Sequence, residues 1–137
     1  MISYTAIVNV PIDKVWEHFL FKIDQPQHFV HGVSNVQIIE RHKDYVIREM
    51  DIKTPHGESI RLKEKITFSP NWVKYLILDH PIYEGYVENL AETITENKTA
   101  ITYSLSWINK ETREVFKQQD MIQNAVLKTV DYILQNQ

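Results

Sequence analysis

An amphipathic pattern at the end of the chain most constrains the fold. Within residues 112–136, Val115, Ile122, Val126 and Ile133 lie seven, four and seven residues apart, with polar side chains between them. This spacing predicts a helix with one apolar stripe. A helix over the whole segment would be ~37 Å long. Because an isolated helix is only marginally stable in water, we expect the stripe to pack against the rest of the chain.

The residues before this helix alternate between apolar and polar side chains, as strands do. We predict a first strand over 4–10. We predict that a short helix follows over 12–23. Proline is favoured at the start of a helix, as at Pro11, and the residue before a proline disfavours the helical conformation, so the helix ends before Pro26. A second short helix or compact loop is expected at 27–32. The remaining strands are predicted at 35–41, 44–53, 58–69, 72–79, 83–95 and 98–108.

Short turns, such as the one predicted at 55–57, separate these strands, and short connections favour antiparallel neighbours. The pattern therefore predicts one α+β domain over 1–137. Its curved antiparallel sheet of about seven strands wraps around the long C-terminal helix, and two short helices follow the first strand.

Composition excludes several classes of protein. The hydrophobic content of 43% supports a real core, and no apolar run reaches the ~18 residues of a membrane span. The chain has no cysteine, and its net charge of −3 comes from interspersed acids and bases, so we expect no nucleic-acid partner. The start carries no basic-then-apolar segment, so we expect no signal peptide and a cytoplasmic protein.

Two charged residues fall on strand faces that are otherwise apolar. Because alternate residues of a strand share a face, Glu64 lies on the same apolar face as Ile66, and Arg48 lies on the same face as Met50. An unpaired buried charge is costly, so we expect Arg48 and Glu64 to meet as a pair. Such a pair is either a ligand anchor or a structural salt bridge, and the sequence leaves both open.

Other residues are candidates for a ligand site. Asn89 lies on a strand face of small residues, and Tyr103 brings both a donor and an acceptor to the last strand. For each of these two, a satisfied polar group in the core is the simpler interpretation. Large apolar side chains complete the candidate lining: Trp16, Phe29, Trp107 and Val126.

The histidines do not form a recognisable metal site. His28 and His31 have helical spacing, but no HExxH motif and no cysteine accompany them. We therefore expect neither a metal nor a cofactor.

An ordered series of residues resembles a known family. It runs through the Val15-Trp16, Phe29-Val30 and Arg48-Glu49 pairs. Its single positions are Lys22, Pro26, Glu64, Ile66, Pro70, Gly85 and Asn89. This series, with the order of elements, is similar to the helix-grip fold of the START/birch-pollen-allergen (SRPBCC) superfamily, and most closely to its AtaL-like family. His31-Gly32 stands where that pattern has a proline, and Phe19 where it has a leucine.

The resemblance implies an apolar cavity between the sheet and the C-terminal helix. The expected function is binding of a small hydrophobic molecule (lipid-, polyketide- or aromatic-like), with Arg48 and Glu64 orienting its polar end. The alternative is a polyketide cyclase- or dehydratase-like enzyme in which Glu64 is the general acid or base. A dimer is possible, but no sequence feature indicates one.

Overall fold

The computed structural model describes residues 1–54 and 56–137. In these residues, seven strands and two helices follow one another, with a 3-10 turn at Pro26–His28 between α1 and β2. Their bounds are β1 Ile2–Val8, α1 Ile12–Asp24, β2 Val33–Arg41, β3 Tyr45–Lys53, β4 Ser59–Ser69, β5 Trp72–Leu78, β6 Tyr83–Thr95, β7 Lys98–Asn109 and α2 Gln119–Gln135.

The strands form one curved antiparallel sheet in the order β1-β7-β6-β5-β4-β3-β2. The N-terminal strand β1 therefore pairs with the last strand β7, and β1 and β2 are the two edge strands of the sheet. Side chains from α1, α2 and one face of the sheet share a single core cluster, so both helices cover the same inner face. The α+β helix-grip fold predicted from the sequence is confirmed.

Most predicted strand bounds lie within two residues of the observed ones. The first strand begins two residues earlier than predicted, because its pairing with β7 runs from Ile2 to Val8. The second short helix is reduced to the 3-10 turn, which Gly32 follows with a φ of +81°. Of the turn predicted at 55–57, Pro55 lies outside the described residues, and Gly57 has a φ of +85°.

The C-terminal helix is shorter than predicted. It has 17 residues, about 25 Å at 1.5 Å per residue. The preceding segment is held in a non-helical path, because the Asn109 side chain accepts hydrogen bonds from the backbone N–H groups of Glu111 and Thr112. Val115 then forms a bridge with Ile108 on β7 and remains 41% exposed. The prediction that Val115 belongs to the helical stripe is wrong.

A hydrophobic core lies between α2 and the sheet. Ile122, Val126 and Ile133 of α2 are at most 2% exposed and share one cluster with Val15 and Phe19 of α1. Burial of each such side chain contributes about 1.5–3 kcal/mol to folding. Packing against α1 and the sheet thus stabilises the short α2.

Gly85 lets two strands approach closely at the inner face. Its φ is +128°, and a Cβ atom at this position would lie 1.9 Å from the backbone oxygen of Ser106 on β7. No side chain fits there. Gly85 pairs directly with Trp107, so this approach positions the indole at the edge of the inner face.

Candidate functional site

Strand register brings polar residues together on the inner face of the sheet. Arg48 of β3 pairs directly with Glu64 of β4, and Asn89 of β6 pairs directly with Tyr103 of β7. All four side chains are buried, with exposed fractions between 0 and 6%. The face assignments made from period-two alternation are therefore confirmed.

Arg48 and Glu64 form the expected buried ion pair. Nη2 of Arg48 donates to Oε1 of Glu64 at 2.5 Å. Nη1 of Arg48 also donates to the backbone oxygens of Ile23 at 2.8 Å and Lys22 at 3.3 Å. These carbonyls lie in the last turn of α1, where helical partners are missing. Arg48 therefore joins β3 to the end of α1 as well as to Glu64.

Lys22 of α1 lies at the centre of the cluster. Its Nζ donates to Oδ1 of Asn89 at 2.9 Å and to the hydroxyl of Tyr103 at 3.2 Å. The same nitrogen is 4.3 Å from the ring centroid of Tyr103 and 5.2 Å from that of Tyr75. An amine within about 6 Å of an aromatic face is stabilised as a cation by the ring. We name these side chains, with Arg48 and Glu64, the Lys22 cluster: Lys22, Arg48, Glu64, Tyr75, Asn89 and Tyr103.

Sequence reasoning missed Lys22 as a site residue, although a signal was present. Val15, Phe19 and Lys22 are spaced four and three residues apart, so the lysine lies on the buried face of α1. A lysine on an apolar helix face usually extends its amine to water. Here the amine ends among buried partners, and Lys22 is 8% exposed.

Burial changes the proton affinity of the cluster. Burial first, and then the nearby positive charge of Arg48, lower the pKa of Lys22 to about 7, while the negative charge of Glu64 opposes both effects. Burial also raises the pKa of the Tyr75 and Tyr103 phenols above their ordinary value. Near pH 7 the lysine is therefore divided between amine and ammonium, and both tyrosines are neutral.

A directed chain of hydrogen bonds links Lys22 to α2. The Thr129 hydroxyl donates to the backbone oxygen of Ala125 at 3.0 Å, so its single hydrogen is used. The Tyr103 hydroxyl, 2.7 Å away, must then donate to Thr129. Tyr103 can consequently only accept from Lys22. The lysine is the donor at the head of this chain.

Four buried polar atoms near these residues have no hydrogen-bond partner in the described part of the chain. They are Nε of Arg48, the hydroxyl of Tyr75, Nδ2 of Asn89 and Nε1 of Trp107. Each is a donor, and only the tyrosine hydroxyl can also accept. A buried donor without a partner costs about 1–3 kcal/mol. The inner face is thus rich in donors and poor in acceptors.

Apolar and aromatic side chains continue the inner face toward one end of the sheet. Met50, Leu62 and Ile77 form a second buried cluster, against which Trp107 and Tyr83 pack. The rings of Tyr83 and Trp107 stack at 5.7 Å. Phe116, in the segment before α2, meets both rings edge-on at 5.6 Å. We name the three half-buried rings of Tyr83, Trp107 and Phe116 the aromatic rim.

The other predicted lining residues lie outside the Lys22 cluster. Phe29 is buried, but it packs on Tyr132 of α2 with ring centroids 4.6 Å apart. Trp16 is half-buried at the margin of the main core, and Val126 is fully buried within it. The structure thus brings together Arg48 and Glu64 with the Asn89–Tyr103 pair, and Trp107 borders the apolar end of the face.

Two surface grooves in the described part of the chain lie away from the Lys22 cluster. One groove of about 400 Å³ is lined by residues of 11–14 and 93–97, and another of about 550 Å³ by residues 35–37, Asp51 and Arg61. Neither is lined by the predicted binding residues. The enclosed cavity beneath α2 stays a prediction, and entry of a ligand there requires core side chains to move.

Across residues 1–54 and 56–137, no three His, Asp or Glu side chains are grouped to hold a metal ion. In the same residues, no helix has the length and apolar composition to cross a membrane.

Comparison with solved structures defines the class of fold. The Zhui aromatase/cyclase from Streptomyces sp. R1128 aligns over 97% of this chain and 85% of its own, with 18% identity and a TM-score of 0.72. Ara h 8.0201 aligns over 98% and 97%, with 14% identity and a TM-score of 0.75. A START superfamily protein from Mycobacterium smegmatis aligns over 97% and 92%, with 11% identity and a TM-score of 0.70. The chain has the fold of these START-like proteins.

The sequence places it in a particular family. The model of the AtaL family, described as acetylaranotin biosynthesis cluster protein L, matches residues 2–136. The chain belongs to this family, as its residue pattern indicates. No curated protein sequence matches the chain.

Proposed function

We propose that this protein binds a small, mostly apolar molecule at the inner face of the sheet, with the oxygen-bearing end of the molecule at the Lys22 cluster. The observation that carries this proposal is the set of buried donors without partners at Arg48, Tyr75, Asn89 and Trp107. A ligand oxygen reaching them would satisfy groups that are otherwise costly to bury.

The surroundings of the cluster support an apolar ligand body. Binding sites for small molecules are mostly apolar, with a few polar groups that fix orientation. Met50, Leu62 and Ile77 supply such a surface beside the cluster, and the half-buried aromatic rim stands at its edge. The named relatives that share the fold include an aromatase/cyclase, which agrees with an aromatic or polyketide-like ligand.

The proposed entry route lies at the aromatic rim. The segment that carries Phe116 is held to β7 by the two backbone bonds of the short Val115–Ile108 bridge, and to β6 by an exposed ion pair between Arg113 and Glu84. Displacing this segment breaks few hydrogen bonds, whereas moving α2 would expose Ile122, Val126 and Ile133. Such lightly held segments are the ones that open locally.

Thermal unfolding with three probes tests the proposal. We choose 2-acetylnaphthalene, 2-naphthoate and dodecan-1-ol, and expect at least one to raise Tm by several degrees, because ligand at 100 times its Kd adds about 2.7 kcal/mol. If none of the three shifts Tm at its solubility limit, the proposal fails.

A pair of tyrosine variants locates the site. Tyr75→Phe removes one unpartnered hydroxyl and keeps the ring, so we expect affinity for an oxygenated probe to fall about five- to tenfold, the loss of one hydrogen bond of ~1–1.4 kcal/mol. Tyr86→Phe is the matched control, because Tyr86 is half-buried and its ring faces Lys74 of β5 rather than the Lys22 cluster. Equal affinity in both variants contradicts this placement of the ligand.

The second candidate function is enzymatic. Glu64 and Lys22 are ionisable groups in the same buried cluster, and Glu64 would act as general acid or base on a polyketide-like substrate, in a cyclase- or dehydratase-like reaction. Hydrogen–deuterium exchange of 1-phenylbutane-1,3-dione, followed by NMR, measures proton abstraction beside a carbonyl. Retained binding with lost exchange in Glu64→Gln supports chemistry at this residue. Exchange that equals the wild type excludes it.

A further inference from the structure

The charges of the Lys22 cluster do not balance. Arg48 and Lys22 bring two cationic groups, whereas Glu64 is the cluster's single carboxylate. The other titratable groups that face Lys22 are the phenols of Tyr75 and Tyr103, and burial raises the pKa of both, so they remain neutral. An ammonium at Lys22 therefore leaves one positive charge uncompensated in a buried site, which is unfavourable.

The hydrogen bonds of Lys22 agree with this imbalance. Its Nζ has two acceptors, Oδ1 of Asn89 and the hydroxyl of Tyr103. A neutral amine has two hydrogens, and an ammonium has three. The two acceptors thus take both hydrogens of the amine, and they leave the third hydrogen of the ammonium facing the rings of Tyr75 and Tyr103.

The groups without partners need an acceptor. Nε of Arg48 and Nδ2 of Asn89 can only donate, and the Tyr75 hydroxyl is held neutral with its hydrogen available. A carboxylate accepts at two oxygens and about four lone-pair sites, and hydrogen bonds to it are about twice as strong as bonds to a neutral oxygen. Both the charge and the donors of the site match an acidic oxygen better than a hydroxyl.

We infer that the polar end of the ligand is an acidic oxygen, a carboxylate or an enolate or phenolate, and that Lys22 binds it as an ammonium counter-ion. This inference rests on the proposed function and names the ligand class of that site. The proton is accounted for in both cases. A ligand that arrives ionised makes Lys22 take one proton from solvent, and a ligand that arrives as an enol or phenol transfers its own proton to the amine.

Calorimetry with a matched pair of probes tests the inference on the wild-type protein. 2-Naphthoate and 2-acetylnaphthalene share the same rings, but only the first carries a charge. Titrations at pH 8 in phosphate and in Tris report proton uptake, because these buffers differ in ionisation enthalpy. We expect 2-naphthoate to bind at least tenfold more tightly than the ketone at pH 7. We also expect it to take up close to one proton at pH 8 and nearly none at pH 6.

The pH dependence follows from the same protonation step. Since Lys22 is mostly amine above pH 7 in the free protein, the affinity for 2-naphthoate should fall by up to tenfold for each pH unit from 7.5 to 9. The affinity for the neutral ketone should stay constant over this range.

Two lysine variants of the same helix provide the control. Lys22→Met should abolish proton uptake and reduce the affinity for 2-naphthoate to that for the ketone. Lys14→Met should change neither, because Lys14 is exposed and pairs with Glu17 one turn along α1. The wild-type comparison of the two probes decides the question even where Lys22→Met does not fold.

The outcomes separate this inference from the proposed function. If neither naphthalene probe nor the alcohol binds, the proposed function fails and the inference fails with it. If 2-acetylnaphthalene binds as tightly as 2-naphthoate and no proton is taken up, the inference is overturned while ligand binding at the site stands.

Discussion

Replacing Arg48 by methionine should be the most destabilising single change at the Lys22 cluster. Arg48 is 2% exposed and donates to Glu64 and to the backbone oxygens of Lys22 and Ile23. Its loss leaves a buried carboxylate without its ion partner and removes the donors at the end of α1. Breaking a buried pair by removing one partner costs about 3–5 kcal/mol. We expect Arg48→Met to lower the free energy of unfolding by this amount.

The conservative change at Glu64 should cost less. In Glu64→Gln the amide oxygen can still accept from Arg48, and Arg48 keeps its two carbonyl partners in α1. Only the charge of the acceptor is lost, and hydrogen bonds to charged groups exceed neutral ones by ~1 kcal/mol. We expect a loss of about 1–2 kcal/mol, smaller than for Arg48→Met.

Urea unfolding of both variants and of a surface control measures this order. The control is Arg41→Met, because Arg41 also pairs with a carboxylate, that of Asp24, but both side chains are about half exposed. Exposed pairs contribute about 0–1 kcal/mol. A structural role for the buried pair is refuted if Arg48→Met lowers the free energy of unfolding no more than the control does, or if Glu64→Gln lowers it more than Arg48→Met does.

Three further predictions concern stability and are checked by chemical denaturation. Burial holds the pKa of Lys22 at about 7 in the folded protein, below its unfolded value of 10.5, so the unfolded state binds more protons between these two pH values. The free energy of unfolding should therefore rise from pH 7 to 9 by up to ~1.4 kcal/mol per pH unit, relative to that of Lys22→Met. A pH-independent difference would contradict this. Gly85→Ala should lower the free energy of unfolding by more than ~3 kcal/mol, because its Cβ atom would lie 1.9 Å from a backbone oxygen. Gly57→Ala, with nothing within 4 Å of its Cβ atom, should lower it only by the ~1–2 kcal/mol that a positive φ costs an alanine. Val126→Ala should cost ~2 kcal/mol and the exposed Val115→Ala less than ~1, and the opposite order would argue that Val115 belongs to the core.

The sheet could be predicted closely because its signals are local. Period-two alternation fixed which residues share a face, and turn residues fixed where strands end. With register added, Arg48 and Glu64 had to meet, since two buried charges on neighbouring strands cannot be left unpaired. The prediction of the pair therefore followed from the free-energy cost of an unpaired buried charge.

The C-terminal segment shows where a local pattern misleads. Val115 and Ile122 are seven residues apart, which fits two turns of helix. In the structure, the Asn109 side chain instead accepts a hydrogen bond from the backbone just after β7, and Val115 pairs with Ile108. These interactions depend on a strand already in place, so periodicity in the segment itself could not reveal them.

The centre of the site could not be predicted because it depends on long-range contacts. Lys22 lies on α1, while Asn89 and Tyr103 lie 67 and 81 residues later in the chain. Its position among Val15 and Phe19 indicated burial, but not what the amine would contact. Tyr75, which the sequence offered no reason to single out, reaches the same cluster through the register of β5 with β4.

The most direct test of ligand binding at the Lys22 cluster is to observe where a bound ligand lies. Intermolecular NOEs from 2-naphthoate to methyl-labelled protein report which side chains the rings contact. We expect NOEs to the methyl groups of Met50, Leu62 and Ile77, which border the Lys22 cluster. NOEs confined to Thr93 and Thr95, which line the outer groove beside α1, would contradict this expectation.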